Sequence, residues 1–217
     1  MTQFRMPPEW APHAATWASW PRNVETWPHN LAEARREFAS LVAAISEDEP
    51  VYVLAGAGDD AETANRTLGS LANVHTIEFA TNDAWMRDYG PTFVVDDAAG
   101  QVAGVDWRYN AWGGKYPPFD DDVLNAARIL QRLGLERREA DLCLEGGAIE
   151  IDGDGIAMCT KTCAFDPHRN PNLTPAEIER RICEAIGATA MLWLTGDALL
   201  GDDTDGHIDQ LARFTPT

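Results

Sequence analysis

The sequence predicts an α/β protein built from repeated modules, and two observations carry this prediction. Helical and strand patterns alternate along the chain, and strands occur both as hairpins and across helices, which indicates mixed α/β modules rather than a purely parallel sheet. A polar corner beside glycine and an apolar strand also recurs three times, as WMRDYGPTFVV, LEGGAIEI and DGHIDQLARF. Asp88, Glu145 and His207 mark these corners, and their spacing indicates a period of about 60 residues.

Four stretches are predicted as helices, of which TPAEIERRICEAIG is the clearest. Thr174 and Glu177 form a capping box there, Pro175 takes the first helical position and Gly187 ends the helix. HNLAEARREFASLVAAIS places apolar residues at helical spacing behind Asn30 as its cap. DDAETANRTLGSLA is predicted as another helix, and so is DDDVLNAARILQRLG, whose acidic start suits a helix N-terminus.

Apolar runs between these helices are predicted as strands: VYVLAG, TFVVDD, QVAGVDW, AIEIDGDGIAMCT, ATAMLWLT and HIDQLARFT. IEIDGDGIAM is predicted to be a hairpin that turns between Gly153 and Gly155, because Asp-Gly pairs supply the positive φ of a tight turn. In the HIDQLARFT strand, His207 and Asp209 would point to the same face.

Charge and hydropathy exclude some partners. The net charge of −18 disfavours nucleic acid and anionic membrane surfaces, and it suits a cationic ligand or simply a solubilising surface. No apolar run approaches the roughly 18 residues of a membrane span. The start of the chain lacks the apolar segment of a signal peptide, so we expect a cytoplasmic protein.

The four cysteines are predicted to be buried thiols rather than disulfides or zinc ligands. Cys159 and Cys163 are spaced C-x3-C, but no second pair completes a zinc site. A metal hydrolase built on His207, Asp209 and Asp205 is disfavoured as well, because the chain offers no suitable second histidine.

The polar corners have the composition of a guanidinium site. Two of the carboxylates of Asp88, Glu145 and Asp209 could accept paired hydrogen bonds from the two edges of a planar cation. His207 could supply a proton to a nitrogen leaving group, and a further carboxylate could orient that histidine and raise its pKa. Each residue also has a purely structural interpretation: Asp88 as a partner of Arg87, Glu145 as a turn residue, and His207 as a core histidine.

The combination resembles the agmatine deiminases, within the guanidine-modifying superfamily that includes arginine deiminases and bacterial peptidylarginine deiminases. Six stretches carry the resemblance, in the expected order and over essentially the whole chain: MPPEWAPHAATWASWP, NDAWMRDYGPTF, GVDWRYNAWGGKYPPFDDD, LEGGAIEIDGDG, NPNLTPAEIE and DDTDGHIDQLARF. The resemblance implies a pentein-type α/β propeller of five modules, with the active site on its pseudo-fivefold axis.

The resemblance also implies a role for individual residues. Asp88 and Asp209 would be the guanidinium-binding carboxylates, His207 the catalytic acid and base, and Glu145 the residue that orients the histidine. Trp85 and Asp83 would line the mouth of the pocket. Glu9 and Trp17 would help to recognise the far amine of the substrate.

The implied reaction is the hydrolysis of agmatine to N-carbamoylputrescine and ammonia, a step of putrescine biosynthesis, through a cysteine thiouronium intermediate and without metal or organic cofactor. A peptidylarginine or arginine deiminase and a catalytically inactive guanidinium-binding fragment remain alternatives. The sequence is compatible with a homo-oligomer as well as with a monomer.

The sequence departs from the family at the nucleophile, which the resemblance places in a glycine-rich segment ending in His-Cys near the C-terminus. None of the four cysteines stands in such a segment. We therefore expect residues 1–217 to form one agmatine deiminase-like domain that lacks its C-terminal part and holds about three to four of five modules. The expected nucleophile would lie in that missing part, and the 217-residue chain alone would be inactive.

Overall fold

A computed structural model describes residues 4–195 and 202–216. The chain divides into two compact units, one formed by residues 12–86 and 118–125 and the other by the remaining three stretches, 1–11, 87–117 and 126–217. The α/β class predicted from the sequence is confirmed, because helices and strands alternate in both units. Within the described ranges, no helix is both long and apolar enough to cross a membrane.

The unit that includes residues 12–86 contains a three-stranded parallel sheet. Its elements are β1 (Thr16–Ser19), α1 (Leu31–Ile45), β2 (Val51–Leu54), α2 (Asp59–Leu68) and β3 (Val74–Ile77). Parallel neighbours require a crossover, and α1 and α2 supply the two crossovers here. Trp20, Val42, Val53 and Leu68 belong to the buried apolar cluster of this unit.

The other unit contains two three-stranded sheets that share one order of elements. The elements are α3 (Met86–Tyr89), β4 (Thr92–Asp96), β5 (Gln101–Arg108), α4 (Ala111–Gly114), α5 (Asn125–Leu133), β6 (Glu136–Cys143), β7 (Glu150–Ile151), β8 (Ile156–Thr160), α6 (Lys161–Ala164), α7 (Pro175–Ile186) and β9 (Ala190–Leu194). In each sheet an antiparallel hairpin is followed by a helix and a parallel third strand.

One buried apolar cluster holds both of these sheets together with α7. Its fully buried members include Val94, Val105, Leu144, Ile149, Cys159, Ile178 and Ile182. Polar residues that follow the strands therefore emerge from a rigid, closely packed support.

Most of the predicted elements are confirmed. The capping box of Thr174 and Glu177 is present, with Pro175 in the first turn and Gly187 in the left-handed conformation after the last. The Asp-Gly hairpin forms between β7 and β8. Asn30 stands at the start of α1, but its side chain makes no capping hydrogen bond among the described residues.

The predicted strands need correction in two respects. The stretch HIDQLARFT is not a strand, because Ile208–Gln210 forms a single 3₁₀ turn. The sequence analysis also missed β1, β3 and β6, and the residues of β6, ERREADLC, are mostly charged and contain no apolar run. β6 pairs in parallel with the buried strand β5, so tertiary packing rather than local preference makes it a strand.

We expect Thr174→Ala to lower the free energy of unfolding by about 1 kcal/mol, because the hydroxyl that accepts from the Glu177 amide at 3.3 Å is lost. Urea denaturation followed by circular dichroism measures the change. Thr174→Ser is the matched control and should retain most of the stability, since serine caps equally well. Equal loss in both variants would contradict a capping role.

Candidate active site

Glycine residues after β6 allow polar groups to approach the backbone very closely. Glu145 lies shortly after the end of β6, and Gly146–Ala148 then forms one buried 3₁₀ turn. A Cβ atom on Gly146 would collide with the carbonyl oxygen of Arg87. The turn therefore lies directly against the backbone of α3, which carries Asp88.

Gly147 is the point at which three of the predicted site residues meet. A Cβ atom there would lie 2.6 Å from Asp88 Oδ1, 2.7 Å from Asp209 Oδ2 and 2.7 Å from His207 Nδ1. Real Cβ atoms do not tolerate such distances, so only glycine leaves room for this arrangement. The Gly147 amide also donates to Asp88 Oδ1 at 3.1 Å.

Asp88 is buried and held by two donors. Besides the Gly147 amide, the Trp112 indole Nε1 donates to Asp88 Oδ2 at 3.0 Å. Burial raises the pKa of Asp88 to about 6, an effect that the charge of His207 and the indole donor oppose and that the nearby charges of Glu145 and Asp209 reinforce. The carboxyl group is therefore ready to ionise fully when a cation approaches it.

The backbone that presents Trp112 is strained. Ala111 and Trp112 have φ of 52° and 57°, and Gly113 and Gly114 follow with φ of 84° and 83°. A left-handed conformation costs roughly 1–2 kcal/mol for each residue that carries a Cβ atom. The Asn110 side chain caps this turn by accepting from the Gly113 amide at 2.9 Å.

His207 lies between two carboxylates and is almost completely buried. Its Nε2 is 3.3 Å from Glu145 Oε2, and its Nδ1 is 3.5 Å from Asp88 Oδ1. Burial alone would lower the pKa of His207, but the hydrogen bond to Glu145 and the charges of Asp88, Glu145 and Asp209 raise it above its usual value. The surroundings thus favour the imidazolium form, which can act as an acid.

Asp209 reaches the same place as His207 although the two are not on a strand. The 3₁₀ turn Ile208–Gln210 carries Asp209, and its Oδ2 points to the space over Gly147. Asp209 Oδ1 is buried without a hydrogen-bond partner among the described residues. Such a group costs free energy unless a donor satisfies it, so this oxygen is suited to a ligand with N–H groups.

Glu9 lies in the same unit but is engaged by two arginines. Arg87 Nη2 donates to Glu9 Oε1, and Arg213 Nη1 is 3.2 Å from the same oxygen. Burial raises the pKa of Glu9, but the two guanidinium groups outweigh it and bring the pKa below its usual value. Arg213 also donates to the buried Glu150 at 2.8 Å. A role of Glu9 in recognising a substrate amine stays a prediction.

Trp17, Asp83 and Trp85 belong to the unit of residues 12–86. The carboxylate of Asp83 accepts from Asn23 at 2.9 Å and from the Ala84 amide at 2.8 Å. Trp85 is 44% exposed and stacks on Trp27, with ring centroids 6.2 Å apart. Their predicted place at a pocket mouth stays a prediction.

Trp17 stacks on Tyr52 in the same unit, with ring centroids 4.8 Å apart. Its predicted role in recognising the far amine also stays a prediction.

The sequence analysis missed Arg169, Trp112 and Gly147 as parts of the site. Arg169 is buried, and its Nε donates to both oxygens of Glu145, at 3.1 and 2.9 Å. Arg169 stands in the polar run PHRNPN, which carries no periodic pattern, and only its buried contacts reveal it. The signal for Gly147 was available, because paired glycines beside a carboxylate indicate a close approach.

The cysteines do not supply a reactive thiolate. Burial raises the pKa of Cys143 and of Cys159 to about 12 and that of Cys163 well above its usual value. The prediction of buried thiols is confirmed for these three residues, whereas Cys183 on α7 is only half-buried. Burial raises the pKa of Cys183 too.

Glu145, Cys163 and His207 are close enough to suggest a metal site, since their donor atoms lie within 4.8 Å of one another. Arg169 already occupies both oxygens of Glu145, and a metal cation would have to bind beside its guanidinium group. The charge of Arg169 therefore disfavours a metal ion at this cluster.

Comparison with known proteins assigns the chain to one family. A sequence model of the Porphyromonas-type peptidyl-arginine deiminases matches residues 5–217. The chain therefore belongs to this family. An agmatine deiminase of Pseudomonas aeruginosa (strain LESB58) is 42% identical over 219 residues, which cover 97% of this chain and 58% of that protein.

Solved structures of agmatine deiminases are similar to this chain as well. The agmatine deiminase of Enterococcus faecalis superposes with a TM-score of 0.92 at 34% identity, over 98% of this chain and 58% of that one. An agmatine deiminase of C. jejuni with substrate bound, in a variant with serine in place of one cysteine, has a TM-score of 0.87 at 28% identity. That match covers 97% of this chain and 62% of the other. The chain thus spans less than two thirds of the length of these relatives.

We expect Gly147→Ala to lower the free energy of unfolding by roughly 1–3 kcal/mol, because Asp88, His207 and Asp209 must all move away from the new methyl group. Urea denaturation measures the loss. Gly100→Ala is the control: it lies at a turn with φ of 62° and open space, so it tests the cost of a left-handed alanine without any displacement. A Gly147→Ala protein as stable as the parent would contradict the close approach.

Proposed function

We propose that this chain provides the guanidinium-binding carboxylates and the acid–base pair of an agmatine deiminase. The observation that carries the proposal is the convergence of Asp88, Asp209 and His207 over Gly147, with Glu145 behind the histidine. The family membership and the names of the similar proteins support agmatine as substrate.

The geometry suits a planar cation. In the proposal, Asp88 and Asp209 accept hydrogen bonds from the N–H groups of the guanidinium, and the unpartnered Asp209 Oδ1 gains a donor. The three buried or half-buried carboxylates of the cluster outnumber the charges of His207 and Arg169, so a further positive charge is favoured there. The turn Gly146–Ala148, which borders this space, is itself buried.

The proposed reaction proceeds through a covalent intermediate. A cysteine thiolate adds to the guanidinium carbon, the bond to a terminal nitrogen breaks, and ammonia leaves with a proton from His207. Water then gives a proton to His207 and adds to the S-alkylthiouronium carbon. The new hydroxyl group releases its proton to solvent as the carbon–sulfur bond breaks, so that neutral N-carbamoylputrescine and the thiolate are released. Neither a metal nor an organic cofactor enters these steps.

The proposal takes the nucleophile from a cysteine outside residues 1–217. All four cysteines in this chain have a raised pKa, which disfavours the thiolate. The substrate-bound structure of the C. jejuni relative, in which serine replaces one cysteine, is consistent with catalysis by cysteine in this family.

The proposed architecture is a five-module α/β propeller, which the repeated hairpin–helix–strand order of two sheets supports.

Turnover should be tested on the protein purified from its native source, after its intact mass is measured. We expect release of ammonia from agmatine and much slower release from arginine and from a blocked arginyl peptide. Faster hydrolysis of arginine or of the peptide would show that the substrate is one of these and not agmatine. Agmatine binding without turnover would favour the inactive guanidinium-binding alternative.

We expect Asp88→Asn to reduce kcat/KM for agmatine by at least about 100-fold in the protein that turns over, because one edge of the cation loses its carboxylate. Asp97→Asn is the matched control, since Asp97 pairs with Arg5 at the surface of the same unit. The control should retain the parent rate. A near-parental rate for Asp88→Asn would remove Asp88 from the site.

The affinity for agmatine should depend on the ionisation of Asp88. Burial raises its pKa to about 6 in the free protein, so binding below that pH requires the loss of a proton. We expect the Kd to rise about tenfold per pH unit between about pH 5.5 and 4.5. Calorimetric titration of the 217-residue chain measures this, and Asp88→Asn should bind weakly with a much flatter profile. A flat profile for the parent would contradict the proposal.

A further inference from the structure

Arg169 is an almost completely buried cation surrounded by carboxylates. Its Nε donates to Glu145, at 3.1 Å to Oε1 and 2.9 Å to Oε2, and its Nη1 donates to Asp205 Oδ2 at 2.7 Å. Asp166 Oδ2 lies 3.6 Å from the same Nη1. A buried guanidinium requires this compensation, and the arrangement leaves little freedom to the Glu145 side chain.

Arg169 also contacts the segment that carries His207. Its Nη2 donates to the Thr204 carbonyl at 3.1 Å, and the Thr204 hydroxyl accepts from the His207 amide at 3.1 Å. Lys115 holds Asp205 from another side, at 2.7 Å. One guanidinium group thus connects the Glu145 turn to the His207 segment.

We propose that Arg169 is a positioning residue that holds the Glu145 carboxylate against His207 Nε2, so that Nδ1 is the nitrogen that exchanges protons over Gly147. The reasoning is geometric. A carboxylate at Nε2 requires a proton on that nitrogen, and the free position is then Nδ1, which faces Asp88 and Asp209. The assignment of Nδ1 to catalysis rests on the proposed function, whereas the effect on His207 does not.

The charged groups around His207 and Glu145 determine whether the pKa of His207 rises or falls when Arg169 is removed. His207 faces the carboxylates of Asp88, Glu145, Asp209 and Asp202. Glu145 faces Arg169, His207 and Asp88 and the thiols of Cys143, Cys159 and Cys163.

Without Arg169, the Glu145 side chain would lose the two hydrogen bonds that fix it and would no longer be held in its hydrogen bond to His207 Nε2, which raises the pKa of His207. The pKa of His207 would then fall. If Arg169 acted only as a nearby positive charge, its removal would instead raise the pKa of His207.

The test is an NMR titration of the His207 imidazole in the 217-residue chain, with ¹⁵N shifts to identify the protonated nitrogen. We expect Arg169→Met to lower the pKa of His207 by about 1 or more and to weaken the preference for a proton on Nε2. Glu145→Gln should also lower it, and adding Arg169→Met to Glu145→Gln should not lower it further. Arg137→Met is the matched control, because Arg137 pairs with the buried Asp106 at 2.6 Å, and it should leave His207 unchanged.

An unchanged or raised pKa of His207 in folded Arg169→Met would overturn the proposal. If that variant fails to fold, Arg169→Lys keeps the charge but loses the double contact, and it should shift the ¹⁵N pattern of His207. A parental pattern in Arg169→Lys would then overturn it. Because this titration does not depend on turnover, failure of the agmatine assay and failure of the Arg169 proposal are separate results.

Discussion

The absence of a side chain at Gly147 is the constraint on which the rest of the site depends. Three polar groups occupy the space that a Cβ atom would take, at 2.6–2.7 Å from its position. They arrive from two different parts of the chain, Asp88 from α3 and both His207 and Asp209 from the 3₁₀ turn and the residue before it. Their convergence is therefore a property of backbone packing, and the packed core beneath the two sheets keeps it in place.

The second requirement of the site is a balance of buried charge. Asp88, Glu145 and Asp209 would repel one another without cations, and the protein supplies His207 and Arg169 from within. The two cations differ in function, because Arg169 is permanently charged whereas the His207 imidazole can gain and release a proton. This combination gives the cluster one fixed charge and one exchangeable proton.

Much of the architecture could be predicted from the sequence, but the contacts that assemble the site could not. The capping box of α7 and the Asp-Gly hairpin follow from local chemistry, and both form as predicted. β6 was missed because its pairing with β5 overrides a sequence without an apolar run. His207 and Asp209 were predicted on a strand, and the 3₁₀ turn instead brings them together over one glycine.

The same contrast holds for individual site residues. Asp88, Glu145, His207 and Asp209 stand out because unpaired polar groups beside glycine and apolar strands are unusual. Arg169 does not stand out, since a buried arginine looks like a surface arginine until its partners are known. Asp83 also stands out in the sequence, and its place at a pocket mouth stays a prediction, since the described contacts of its carboxylate are with the Asn23 side chain and the Ala84 amide among others.

The strained turn at Ala111 and Trp112 has a consequence for adaptation of the protein. Its left-handed residues hold the indole that donates to Asp88 and that also contacts the rings of Tyr109 and Tyr116, so a conformational penalty is retained where the indole meets the carboxylate. Substitutions that relax this turn would raise the melting temperature and at the same time release the indole. Selection for heat resistance and selection for ligand binding would therefore act in opposite directions at this turn.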